Sequence, residues 1–153
     1  MGNLKLTSSA FSDGGEIPRE CGYKNGNEEP PLTISGTPEG TESLALIMDD
    51  PDAMGAVGKV WVHWIVWNMD PTIAEIGENL RDILSVAVEG ITDFGEMGYG
   101  GPAPPDKRHT YVFKLYALDS ELDLPDKSTK ADVEKAMEGH IIEQAQLTGT
   151  YAP

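Results

Sequence analysis

Met48-Asp-Asp-Pro-Asp-Ala-Met-Gly55, followed by Val60-Trp-Val-His-Trp-Ile-Val-Trp67, is the stretch on which the reading of this chain turns. It begins where Ser43-Leu-Ala-Leu-Ile-Met48 ends, a run too short and too continuous for a surface helix. Such a run predicts a strand buried on both faces, which delivers Asp49, Asp50 and Asp52 at its C-terminal end. The second segment sets bulky residues beside β-branched Val62, Ile65 and Val66 and predicts a central strand with His63 in its middle. Carboxylates and an imidazole in apolar surroundings are costly unless paired, so their presence points to a site.

Working outward, Thr110-Tyr-Val-Phe-Lys-Leu-Tyr-Ala-Leu118 has hydrophobic residues on both faces and predicts another central strand. Gly98-Tyr-Gly-Gly-Pro-Ala-Pro-Pro105 predicts a shaped loop, because its prolines lack donors and its glycines admit unusual backbone angles. Residues 1–31 predict a short edge strand around Leu4-Lys-Leu6 and then a long surface loop, with Pro30-Pro31 forcing an extended entry into a strand at Leu32-Thr-Ile34. Asn68-Met-Asp-Pro71 predicts a turn, and strands are expected at Ile83-Leu-Ser-Val-Ala-Val88 and Leu147-Thr-Gly-Thr-Tyr151. A single helix is expected after a cap at Ser128 or Thr129, with Val133, Ala136, Met137 and Ile141 on one face and Gly139 bending or ending it. Several strands and one late helix predict a mostly β single domain over residues 1–153, a sandwich or Greek-key barrel.

The chain carries 11 Lys plus Arg against 26 Asp plus Glu, a net charge of -15. A field of that sign repels nucleic acid and anionic membrane at long range, so neither is an expected partner. No apolar run reaches membrane-spanning length and no signal region follows the N-terminus, so no membrane insertion and a cytoplasmic location are expected. Cys21 is the single cysteine, which excludes an intrachain disulfide and reads as a small buried side chain.

Asp50, Asp52, His63 and His109 are the candidate chemical groups, each at a strand end or inside an apolar strand. A calcium loop fails: Asp50, Asp52 and Gly55 match its first, third and sixth positions, but the fifth and twelfth, which should carry ligands, hold Met54 and Trp61. A zinc site lacks any ligand pair at helical or Cys-x-x-Cys spacing, so no metal and no cofactor are expected. Gly100-Gly101 with Pro102, Pro104 and Pro105 suits an anion, since glycine lets backbone N–H groups approach a ligand and proline stiffens the loop presenting them. Lys107 and Arg108 add local positive charge beside His109.

Asp50-Pro-Asp-Ala53, His63-Trp64, and Gly100-Gly-Pro-Ala-Pro-Pro105 followed by His109 and Tyr111 together resemble the two signature regions of the phosphatidylethanolamine-binding protein family, also called Raf kinase inhibitor proteins. The likeness is to the small prokaryotic branch and runs on through Cys21 to Leu32, Thr92-Asp-Phe-Gly95 and Glu138-Gly-His140 to Tyr151. It implies antiparallel β-sheets in a Greek-key arrangement with a helix near the C-terminus. It also implies a small pocket for phosphate or a similar oxyanion, lined at positions matching Asp50, Asp52, His63, Gly101, Ala103, Pro105, His109 and Tyr111. The chain departs from the family pattern at Met54, where proline is usual, at Ala103, where cysteine is common, at Thr110, where arginine is common, and at Ile34, where tryptophan is common.

On this reading His63, His109, backbone N–H groups of residues 101–103 and the Tyr111 hydroxyl cradle the anion, while Asp50 and Asp52 orient the imidazoles and raise their pKa or accept from an ammonium group. Small monoanions and zwitterionic head groups are the expected ligands. Acid/base catalysis on a small phosphate or ester is the alternative, disfavoured because neither a nucleophile elbow nor a cysteine accompanies the constellation. The resemblance further admits a kinase or protease as protein partner, and a homodimer.

Overall fold

The structure, a computed structural model, describes residues 3–153; residues 1 and 2, ahead of the expected edge strand, lie outside them. The strands are β1 (Lys5–Thr7), β2 (Gly15–Glu16), β3 (Leu32–Ser35), β4 (Ser43–Asp50), β5 (Trp61–Met69), β6 (Glu75–Ile76), β7 (Val88–Glu89), β8 (His109–Leu118) and β9 (Ile141–Tyr151). The helices are α1 (Ala53–Val57), α2 (Leu80–Ile83) and α3 (Lys130–Met137). One sheet runs β1-β3-β6 and the other β2-β9-β8-β4-β5-β7, antiparallel except where β2 meets β9.

Alternation along β4 explains its unbroken apolar run. Leu44, Leu46 and Met48 face the core shared with the small sheet, beside Leu6, Leu32 and Ile34. Ala45 and Ile47 face the opposite side, where Val133 and Met137 of α3 cover the sheet with Ile65, Trp67 and Leu118. Every residue of β4 is therefore buried. The same parity sends Asp49 toward α3 and Asp50 toward the end of the main core.

The mostly β fold with a late helix is as expected, and α3 carries the expected cap: Thr129 accepts from the Asp132 N–H at 3.2 Å while Asp132 accepts from the Thr129 N–H at 3.0 Å. This reciprocal pair satisfies two otherwise orphaned donors. Four sequence-based expectations are corrected. The stretch 83–88 is not a strand: Ile83 ends α2, and a turn follows in which Ile83 and Ala87 are buried and Val86 is 66% exposed. An i, i+4 buried pair is the mark of a helical turn, and strand pairing starts only at Val88. α3 is joined by two short helices. Asn68 and Met69 belong to β5, and β9 starts six residues before Leu147.

Candidate functional site

The Asp-Pro-Asp turn leaves β4 and winds at once into α1, where Met54 N–H donates to the Pro51 carbonyl at 3.2 Å, a bond that proline could not make. The Met54 side chain points outward, 55% exposed. Ala53, Ala56 and Val57 of α1 form one wall of a cavity of about 180 Å³, whose other lining residues are Asp50, Trp61, His63, Phe94, Ala103, Pro105, His109 and Tyr111.

A β-bulge aims His63 into this cavity. Met48 pairs with Trp64 but Asp49 pairs with Val62, so His63 is the extra residue on β5. Without the bulge, His63 and Trp64 would point to opposite faces. Instead, Trp64 packs in the main core and the His63 ring stands edge-on to Tyr111, 5.1 Å between centroids. His63 Nδ1 lies 2.6 Å from the Gly100 carbonyl and donates to it, while the Gly100 N–H donates to the His63 carbonyl at 2.8 Å. The proton on Nδ1 leaves Nε2 of the neutral ring with a free lone pair. Burial pushes the His63 pKa down, against the opposing pull of the Gly100 carbonyl and the Asp50 charge.

His109 is placed differently. Its ring, 1% exposed, lies between two carboxylates, with Nδ1 2.6 Å from Asp50 Oδ2 and Nε2 2.7 Å from Asp106 Oδ1. Burial alone would lower its pKa, but hydrogen bonds to the two carboxylates outweigh burial and hold the pKa above the usual histidine value. The Tyr111 hydroxyl is fully buried and, among the described residues, closes no hydrogen bond of good geometry, with Asp50 and the Ala103 N–H as its polar neighbours. Burial, and then the Asp50 charge, push its pKa far up, so it stays a neutral phenol.

Two expected lining residues fall outside the cavity. Asp52 Oδ2 accepts from the Thr110 N–H at 2.8 Å and orients no imidazole; its own N–H donates to Asp50 Oδ1 at 3.0 Å. Gly101 N–H is occupied by Asn27 Oδ1 at 2.7 Å and so does not join the cradle. Asn27, in the left-handed region at φ 54°, also donates to the Tyr99 carbonyl at 3.1 Å and thereby pins the loop at both ends of Gly100. Neither Asn27 nor Asp106 was singled out from the sequence. The three-residue spacing of Asp106 to His109 was the available signal, whereas Asn27 lies 74 residues from its partner. Aromatic residues close the remaining side: Phe94 stacks on Tyr23 at 4.1 Å and meets the edge of Trp61 at 5.5 Å. Among the described residues no three of His, Cys, Asp and Glu converge as metal ligands.

The two histidines give the protein opposite pH slopes. His109, raised in the fold, contributes stability that is complete below the unfolded pKa of about 6.5 and is lost as pH rises through its folded pKa. His63, lowered in the fold, costs stability as pH falls from about 6.5 through its folded pKa. Urea midpoints measured across this range should show the alkaline loss shrink in His109→Gln and the acid loss shrink in His63→Gln.

A family model described as phosphatidylethanolamine-binding protein matches residues 7–152. A UPF0098 protein of Methanothermobacter thermautotrophicus is 44% identical over 151 residues, covering 97% of this chain and 98% of that protein. A crystal structure of a phosphatidylethanolamine-binding protein homologue from Chlamydia trachomatis superposes with a TM-score of 0.90 at 40% identity, covering 99% of this chain and 98% of that one. YbcL of Escherichia coli, described as a member of the mammalian family, superposes with a TM-score of 0.88 at 33% identity over 98% of each chain. No helix is long and apolar enough to cross a membrane among the described residues.

Proposed function

The chain belongs to the phosphatidylethanolamine-binding protein family, and from that membership we propose that it binds a small oxyanion, a phosphate or the phosphorylated head group of a zwitterion, in the cavity beneath residues 100–105. The observation that carries this reading is the Tyr111 hydroxyl: buried in the same cavity as His63, it faces Asp50 and the Ala103 N–H yet closes no hydrogen bond of good geometry among the described residues. An unpaired buried hydroxyl costs roughly 1 to 3 kcal/mol, which a bound acceptor would recover. The cavity holds a group of phosphate size, and Ala53, Val57, Trp61, Phe94 and Pro105 offer apolar walls to whatever the phosphate carries.

Charge balance sets the pH dependence. Asp50, Asp106 and protonated His109 sum to -1, so an arriving anion is favoured only when His63 also takes a proton at Nε2 and donates it. Binding is therefore coupled to proton uptake at His63. Affinity rises as pH falls from the His63 pKa of the complex to the lower value of the free protein, and levels off below that.

Binding is preferred to acid/base catalysis for a local reason. His109 commits both ring nitrogens to carboxylates and His63 commits Nδ1 to the Gly100 carbonyl, so one ring position remains to exchange a proton. The cavity lining includes neither serine, threonine nor cysteine to act as nucleophile.

Phosphate or phosphoethanolamine titrated into labelled protein should shift the signals of Asp50, His63 and Tyr111, with affinity about tenfold higher at about pH 5.5 than at about pH 7.5. His63→Ala should flatten the pH dependence to what the second ionisation of the phosphate and the His109 titration leave. Tyr111→Phe should weaken binding while leaving the unfolding free energy equal or up to about 1 kcal/mol higher, because it deletes an unpaired hydroxyl. Wild-type signals at these residues that stay still under millimolar phosphate would sink the reading.

A further inference from the structure

The half of the Gly/Pro loop that forms the cavity wall is tied down differently from the half before it. Up to residue 102 the loop is fixed by backbone: Gly100 to His63, Gly101 to Asn27, and Tyr23 N–H to the Pro102 carbonyl at 2.9 Å. Beyond Pro102 the Ala103 N–H faces the Tyr111 hydroxyl, and the ties of residues 104–108 to the rest of the fold among the described residues are made by side chains. Arg108 reaches Glu16 at 3.1 Å and Thr150 at 3.2 Å, and Asp106 reaches His109 at 2.7 Å. Ala103 and Pro105, between those ties, line the cavity.

We propose that Asp106 is a positioning residue that latches residues 103–107 over the cavity through His109, and that this latch governs how fast a ligand enters and leaves. The latch stands on the geometry of His109, Asp50 and Asp106; its role in ligand exchange rests on the binding reading above.

A doubly protonated imidazole donates from both nitrogens, one to Asp50 and one to Asp106. A neutral ring has one N–H and keeps one carboxylate. Asp50, 4% exposed, is far less solvated than Asp106, 42% exposed, where bulk water replaces a lost donor. The neutral ring therefore retains Asp50 and releases Asp106, because stranding the buried carboxylate costs more. The latch is closed below the His109 pKa and open above it.

The other charged or titratable groups around His109 do not supply a substitute. Asp52, just past β4, is held by the Thr110 N–H. Arg108 turns toward Glu16, Tyr111 stays neutral, and Tyr151, the register partner of His109 on β9, gives its hydroxyl hydrogen to the Arg19 carbonyl at 2.7 Å. His63 lines the same cavity with Nδ1 committed to Gly100.

The test compares wild type with Asp106→Ala and Asp106→Glu. Below the wild-type His109 midpoint, Asp106→Ala should move the amide signals of Ala103 and Arg108 toward the positions that they take in wild type above that midpoint. Its His109 titration, followed by nitrogen chemical shifts, should move to lower pH, and Asp106→Glu should restore part of both. Phosphate dissociation, read from phosphorus line shapes at the same pH, should quicken about tenfold in Asp106→Ala. An unchanged His109 midpoint in Asp106→Ala, or wild-type amide signals of Ala103 and Arg108 that do not follow the His109 titration, overturns the latch. Phosphate that binds neither protein overturns the ligand reading and the exchange role with it, while the His109 titration still decides the latch.

Discussion

Replacing Gly101 with alanine is expected to lower the unfolding free energy by about 3 kcal/mol and to displace the loop that covers the cavity. A β-carbon there would overlap the Cys21 carbonyl oxygen and lie 2.9 Å from the Tyr23 nitrogen. Both obstacles are backbone, so no rotamer change relieves them. The Cys21 carbonyl also accepts from the Tyr99 hydroxyl at 2.8 Å and the Tyr23 N–H donates to Pro102, so moving either segment breaks a second contact. Gly101 thus acts through close approach of two backbones, and its N–H serves Asn27 rather than a ligand. Urea unfolding of Gly101→Ala beside Gly55→Ala provides the measurement and its control. Gly55 lies in α1 with nothing within 4 Å of an added β-carbon, and alanine there should be neutral or stabilising by up to about 1 kcal/mol. Equal stabilities for the two variants would refute the close-approach argument.

Lys130→Met is expected to cost about 2 kcal/mol, although Lys130 stands at the surface end of α3. Its Nζ lies 2.7 Å from Asp49 Oδ2, and Asp49 is 1% exposed with Oδ1 unpaired among the described residues. Lys114 Nζ, at 3.2 Å and 30% exposed, shares the same oxygen. Removing Lys130 leaves a buried carboxylate with one partly solvated partner, and uncompensated buried charge is among the larger destabilising effects known. The figure is below that for a fully isolated charge because Lys114 remains. Adding Asp49→Val should recover most of the loss, since Asp49 follows Ile47 on the same face of β4 and pairs with Val62 and Val112 on the neighbouring strands. Differential scanning calorimetry on wild type, both single variants and the double variant closes the cycle. Additive losses would show that the two residues act independently.

Much of the architecture was legible from local pattern. Ser43 to Met48 and Thr110 to Leu118 form central strands because a sheet covered on both faces, by the small sheet and by α3, demands unbroken apolar residues. The Thr129 and Asp132 cap was equally local, since its two partners are three residues apart. The stretch 83–88 misled because a short apolar run has no period of its own. Ile83 and Ala87 turn inward while Val86 stays in water, and only packing against the core decides between a helical turn and a strand.

The candidate site divides in the same way. Sequence by itself determined which side chains were available and which strand ends would carry them: alternation from Met48 places Asp50 at the core end and Asp49 beneath α3, and Tyr111 and His109 share one face of β8. Tertiary structure alone decided which of them meet. A one-residue bulge in β5 turns His63 to the side of Asp50 and Tyr111, against the strict alternation that sequence reading assumes. Asp52 and the Gly101 amide are drawn off by Thr110 and Asn27, and Asp106 takes the second nitrogen of His109. Each outcome depends on hydrogen bonds between chain segments brought together by sheet pairing, and such competition for donors has no signature in a linear pattern.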